Sequence, residues 1–156
     1  MYQRILVPLD GSEPAETALL HAVEVAKRFG AELILFQAIT PLTQLLAQAA
    51  PTSLEVATVG SQLADEAYEA SSATARQYME RTGSTLGGQD VRVRVAVMDG
   101  APGDAILAQA RQHAVDLIVM STHGRGGLGR LVFGSVADDV IRNSSIPVLL
   151  VRPRRQ

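Results

Sequence analysis

Five short apolar runs divide this chain, and each is separated from the next by a stretch with helical character. They are Ile5-Leu6-Val7-Pro8-Leu9, Leu33-Ile34-Leu35-Phe36 (running to Ile39), residues 91–97, Leu117-Ile118-Val119-Met120 and residues 147–151. A strand that is apolar at nearly every position, rather than at every second one, is buried on both faces. Strands of that kind pair in parallel and need crossover helices, and the crossovers are right-handed. The pattern therefore predicts an α/β fold: an open five-stranded parallel sheet with helices on both faces. The chain has 156 residues, which suits one domain spanning 1–156.

The intervening segments carry their own signals. Ser12 is the expected N-cap of the first helix, whose face is Leu19, Ala22, Val23 and Ala26, and Gly30 is its stop. Residues 40–58 show no periodicity and read as a loop bracketed by Pro41 and Pro51. A proline-free stretch from about Gly60 to Arg81 predicts a long helix. Its inner stripe is Leu63, Ala67, Ala70, Thr74 and Tyr78, and Gly83 with Gly87-Gly88 ends it. Val91-Arg92-Val93-Arg94-Val95 alternates, as a strand at or near a sheet edge does. Pro102 opens a helix with Ile106, Leu107 and Ala110 inward. Residues 135–143 read as a short helix with Val136, Ala137, Val140 and Ile141 on one face, and Ser135 and Asp138 have capping-box spacing.

Composition removes several function classes. The absence of cysteine excludes disulfides, thiolate metal sites and a cysteine nucleophile, and it accords with a cytoplasmic location. A net charge of -2 gives no reason to bind nucleic acid or an anionic membrane. The opening MYQRILVPLDGS has too few apolar residues before Asp10 for a signal peptide, and no run approaches the roughly 20 residues of a membrane span. No Ser-His-Asp constellation or His/Glu metal spacing is present, so efficient catalysis is not expected.

The segment HGRGGLGRLVFGS, residues 123–135, directly follows the fourth apolar run. In a doubly wound sheet it lies at the C-terminal strand ends, where such folds collect ligands. Glycines let another group approach the backbone, and their amides can converge on an anion. Gly134-Ser135 adds the amides and positive dipole end of a helix N-terminus. His123, Arg125 and Arg130 can add charge, and a phosphate chain is the natural guest. The segment is not a P-loop, which requires GxxxxGK[ST]. Gly124 to Gly129 contains G-x-G-x-x-G, but no helix follows at once, as a dinucleotide site needs.

From end to end the chain resembles the universal stress protein family. That family carries G-x2-G-x9-G-[ST] after its fourth strand; here Gly124, Gly134 and Ser135 match, while Ser121 stands at the first glycine. A positive φ at Ser121 would cost a non-glycine residue roughly 1–2 kcal/mol. Pro8-Leu9-Asp10 matches the family's P-x-D, and residues 146–151 are also similar. The resemblance implies a Rossmann-like sheet of order 3-2-1-4-5 and the ATP-binding branch of the family. Adenine would then lie by Ala38 and Ile39, with Asp10 at the ribose. Gly124, Gly134, Ser135 and the Val136 amide would hold phosphates, and Pro8, Leu9, Met120, Ser121, His123, Arg125 and Gly127 would complete the site. Magnesium could accompany the triphosphate, with Asp10 as an alternative ligand. The implied role is a stress-response or regulatory factor with at most slow ATP hydrolysis, dimerising through residues 147–151. Two readings stay open beside it: an interaction protein that binds no nucleotide, and a phospho-acceptor receiver domain using Asp10, Asp99, Thr122 and Arg152-Pro153.

Overall fold

The computed structural model describes residues 1–40, 54–88, 90–122 and 133–153, apart from the side chains of 54–64. Nine elements follow in order: β1 (Arg4–Pro8), α1 (Glu13–Phe29), β2 (Glu32–Ile39), α2 (Leu54–Gly87), β3 (Arg92–Asp99), α3 (Pro102–Gln112), β4 (Leu117–Ser121), α4 (Ser135–Asn143) and β5 (Val148–Val151). The strands form one parallel sheet of order β3-β2-β1-β4-β5, as expected. The winding runs outward from β1 to β3 in one direction and from β4 to β5 in the other. The reversal therefore falls between β1 and β4.

Alternate strand residues feed two separate cores, because successive side chains point to opposite faces. Ile5, Val7, Leu33, Leu35, Leu117 and Val119 face α1 and α2, where Ala18, Ala22, Ala26 and Met79 meet them. Leu6, Ile34, Phe36, Ile118 and Met120 face α3 and α4, where Ile106, Ala110, Ala137 and Val140 meet them. This two-sided burial is why the runs are continuously apolar. At the β3 edge the strand is only partly buried, and Arg94 forms an ion pair with Glu32 at 3.2 Å.

The capping expectations hold for α1. Ser12 accepts a hydrogen bond from the Ala15 amide, and Gly30 closes the helix in the left-handed conformation with φ 66°. The long helix differs from its expectation in three ways. It begins at Leu54, six residues ahead of Gly60, and residues 41–53 of the expected loop lie outside the described residues. Its buried stripe is Ser72, Ala75, Met79 and Leu86, with Tyr68 and Tyr78 half-buried, whereas Ala67, Ala70 and Thr74 are exposed. Leu63 is among the side chains not described. The helix also runs through Gly83 to Gly87. Gly83 is a contact instead of a stop: a Cβ there would lie 2.9 Å from Val95 Cγ2, so its absence lets α2 approach β3.

α4 departs from expectation at its start. Gly134 is the N-cap and Ser135 is the first helical residue, with no side-chain cap. The Gly134 amide is held by the Thr122 carbonyl at 2.6 Å, which places the extended residue one position earlier than the Ser135/Asp138 spacing implies. Asp138 instead takes the Arg142 guanidinium at 2.8 Å. Ile141, expected inward, is 38% exposed.

Two contacts lock helices together. Tyr78 on α2 donates its hydroxyl to Glu16 on α1 at 2.9 Å. Burial, and then this hydrogen bond, push the phenol well above its ordinary value of 10.0. A group whose folded pKa is raised contributes stability below its unfolded pKa and loses it as pH climbs beyond. Urea midpoints should therefore fall above about pH 10, and Tyr78→Phe should flatten that fall; an unchanged alkaline profile in the variant would remove this contact from the stability account. Between α3 and α4, a Cβ at Gly103 would collide with the carboxylate of Asp139. Gly103→Ala should cost about 1–3 kcal/mol in urea denaturation, while Gly88→Ala, which meets nothing within 4 Å, should cost far less. Equal costs would show that the Asp139 carboxylate swings aside freely.

Candidate functional site

The carboxyl ends of β1, β2 and β4 bring together most of the expected residues that are described. Pro8 ends β1 half-buried; Leu9 follows it, buried, with its amide donating to the Phe36 carbonyl at 2.8 Å. Ala38 packs on the α3/α4 side of β2, and Ile39 is buried at the strand's end. Met120 and Ser121 close β4, both buried. The expected strain at Ser121 is absent: the residue is the last of a regular strand and has no positive φ. Serine at that position therefore carries no backbone penalty. Its small side chain is accommodated because the strand, not a turn, occupies the position.

Asp10 is built into the turn after β1. Its Oδ1 accepts from the Ser12 amide at 3.0 Å and from the Ser12 hydroxyl. Ser12 in turn caps α1 through the Ala15 amide at 3.3 Å. Gly11 between them sits at φ 76°, a conformation open to glycine at little cost. Asp10 thus orders the first turn of α1 while sitting at the rim.

Thr122, which the sequence offers only in the receiver-domain reading, organises the other half of the rim. It is 2% exposed, its amide donates to the Val151 carbonyl at 2.9 Å, and its carbonyl takes the Gly134 amide. The start of α4 is thereby fixed beside the end of β4. The first-turn amides of Ser135 and Val136 have no intrahelical acceptor, as in any α-helix, and the dipole adds positive potential there. Ser135 itself is exposed and Val136 half-buried. A buried hydroxyl residue directly after an apolar strand is the signal that could have marked Thr122.

On the far side of β2, Asp99 accepts from the Tyr68 hydroxyl at 2.7 Å, which raises the Tyr68 phenol above its ordinary value. Gly100, at φ 139°, donates to the Ile39 carbonyl and turns the chain toward α3 on the face of the sheet opposite α2. Asp10 and Asp99 are separated by the whole of β2, about 10 Å at ordinary strand spacing, so they do not form the paired acids of a receiver domain. His123, Gly124, Arg125, Gly127 and Arg130 lie outside the described residues.

A parallel sheet with its winding reversal between β1 and β4, an acid-bearing turn on one side and a helix N-terminus on the other, defines the class of open α/β proteins that take ligands beyond the strand ends. The comparisons narrow the class: the chain belongs to the universal stress protein family, whose model matches residues 1–152. It is 33% identical to the universal stress protein MJ0531 of Methanocaldococcus jannaschii, over all of this chain and 86% of that one. The solved structure of MJ0577, from the same organism, superposes with a TM-score of 0.82 at 29% identity, covering 100% of this chain and 99% of the other. A universal stress protein solved in complex with cAMP superposes at 0.59 and 25% identity, with 97% of each chain covered. Among the described residues no helix is long and apolar enough to cross a membrane.

The Asp10–Ser12–Ala15 relay has a measurable consequence. Ser12→Ala should destabilise the protein by about 1 kcal/mol, and Asp10→Ala by a similar amount. The double variant should lose less than the sum, because both remove one network. Strict additivity in denaturation would show that Asp10 acts independently of the cap.

Proposed function

We propose that this protein binds ATP at the carboxyl rim of its sheet and serves as a stress-response or regulatory factor in the cytoplasm, with at most slow hydrolysis. The observation that carries the reading is the hydrogen bond from the Gly134 amide to the Thr122 carbonyl. It holds the open amides at the start of α4 next to β4, where a polyanion can take several of them at once. One exposed charge at a helix dipole gains only about 0.3–1 kcal/mol, so tight binding needs the donors to act together. The residues fit the group. Ala38, Ile39 and Met120 offer an apolar seat for adenine, and Pro8, Leu9 and Asp10 flank the ribose with a carboxylate acceptor. Ser121, Gly134, Ser135 and Val136 border the phosphates, with His123, Gly124, Arg125 and Gly127 completing the cradle. Magnesium would enter with the triphosphate. The relative crystallised with cAMP supports an adenine nucleotide as the ligand type.

We also propose a homodimer through the last strand. β5 is an edge strand, and Leu149 on it is 38% exposed. Apolar edges of this kind are normally covered, and a two-fold pairing covers both copies.

Titration calorimetry with ATP tests the first proposal: the parent protein should release or absorb heat saturably, and Gly134→Val should abolish it while keeping the parent's circular dichroism. No heat at millimolar ATP overturns it. For the dimer, light scattering should give twice the chain mass for the parent and one chain mass for Leu149→Lys. A monomeric parent at micromolar concentration overturns the pairing.

A further inference from the structure

A second cavity lies on the opposite side of β2 from Ala38. Its volume is about 400 Å³, and Gly11, Gln37, Ser71, Thr74, Ala75 and Tyr78 line it. That size falls within the range of small-molecule sites. The turn after β1, the end of β2 and the middle of α2 supply the walls. It is therefore on the α1/α2 side of the sheet, whereas Ala38 packs on the α3/α4 side.

The polar groups around it are unevenly satisfied. Thr74 donates its hydroxyl to the Ala70 carbonyl at 2.8 Å, and Tyr78 donates to Glu16 at 2.9 Å. Gln37 differs: its Oε1 is shut off from solvent and has no hydrogen-bond partner among the described residues. A buried amide oxygen without a donor is unusual, because its desolvation goes uncompensated. The final torsion of a glutamine is soft, so the amide can turn toward a donor in the cavity at little cost. Electrostatics narrow the choice of donor. No lysine or arginine is among the described lining residues, while Glu16 adjoins Tyr78. Among the described residues that line the cavity an anion would find no cation, and it would lie near the Glu16 carboxylate, so the site disfavours an anion.

We propose that the cavity is a separate site for a small nitrogen compound that presents N–H donors and carries no negative charge, such as an amidine or a primary amide. Gln37 Oε1 is the acceptor, and the Glu16 carboxylate beside Tyr78 favours the cationic form. The proposal stands independently of ATP binding.

Three probes of one shape test it on the full chain: benzamidine, benzamide and benzoate. In proton–nitrogen correlation spectra, benzamidine and benzamide should shift the Gln37 side-chain amide and the backbone amides of Gly11, Ser71 and Tyr78 saturably at millimolar concentration, and benzoate should not. Gln37→Leu should fold with an unchanged or higher melting temperature, since it removes an unpaired oxygen, and should weaken benzamidine at least about tenfold. Saturating ATP should leave benzamidine affinity within about twofold of its value without nucleotide. Absence of saturable shifts, equal binding of benzoate, undiminished binding by Gln37→Leu, or shifts confined to residues 120–122 and 134–136 would each overturn the site.

Discussion

At the end of β4, the main chain of Thr122 bonds in two directions. Its amide goes to Val151 and its carbonyl takes the Gly134 amide. The first bond continues the β4–β5 ladder one residue past the strand, and the second stations α4. Burial strengthens both, since a residue 2% exposed offers water no competing access. The packing of Ala137 and Val140 keeps α4 on the sheet, and this junction fixes where its first turn lies relative to the end of β4. Without it the rim would lose the fixed placement of the helix start on the β4 side of the winding reversal.

Asp10 does comparable work across the reversal, with a different economy. One carboxylate oxygen orders Ser12, and Ser12 orders the opening turn of α1. A residue with a structural task of this kind is rigidly placed, and rigid placement is also what a ligand contact demands. The two roles reinforce each other, so the P-x-D pattern need not be read as either cap or ligand alone.

Much of this architecture is legible in the amino-acid order because the forces involved are local or periodic. Continuous apolar runs marked β1, β2 and β4, and alternation marked β3 as an edge. Ser12 and Gly30 bounded α1 by chemistry internal to their own turns. What failed was set by tertiary contact. Gly83 reads as a helix breaker until β3 is seen beneath it, where the missing side chain is the reason the layers fit. The buried stripe of α2 was misplaced because alanines and glutamates recur on every face, and only the sheet decides which alanine turns inward. The start of α4 depended on a carbonyl twelve residues earlier, which no capping pattern records. At the site, Asp10 and the α4 terminus were readable from motif spacing, whereas the anchoring role of Thr122 and the orphaned oxygen of Gln37 were not, because both lie in what surrounds them.

The 34 residues of α2 make it about 50 Å long, roughly twice the span of the 8-residue strands it covers. Tyr68 meets Asp99 where β3 ends, so the turns from Leu54 up to that point, about 20 Å of helix, project past the sheet. The rim is thus a shelf with a parapet along its α2 border. A visitor approaching from that side meets the projecting turns of α2 before it meets the strand ends, so the length of one helix sets how near a bulky group can come across that border.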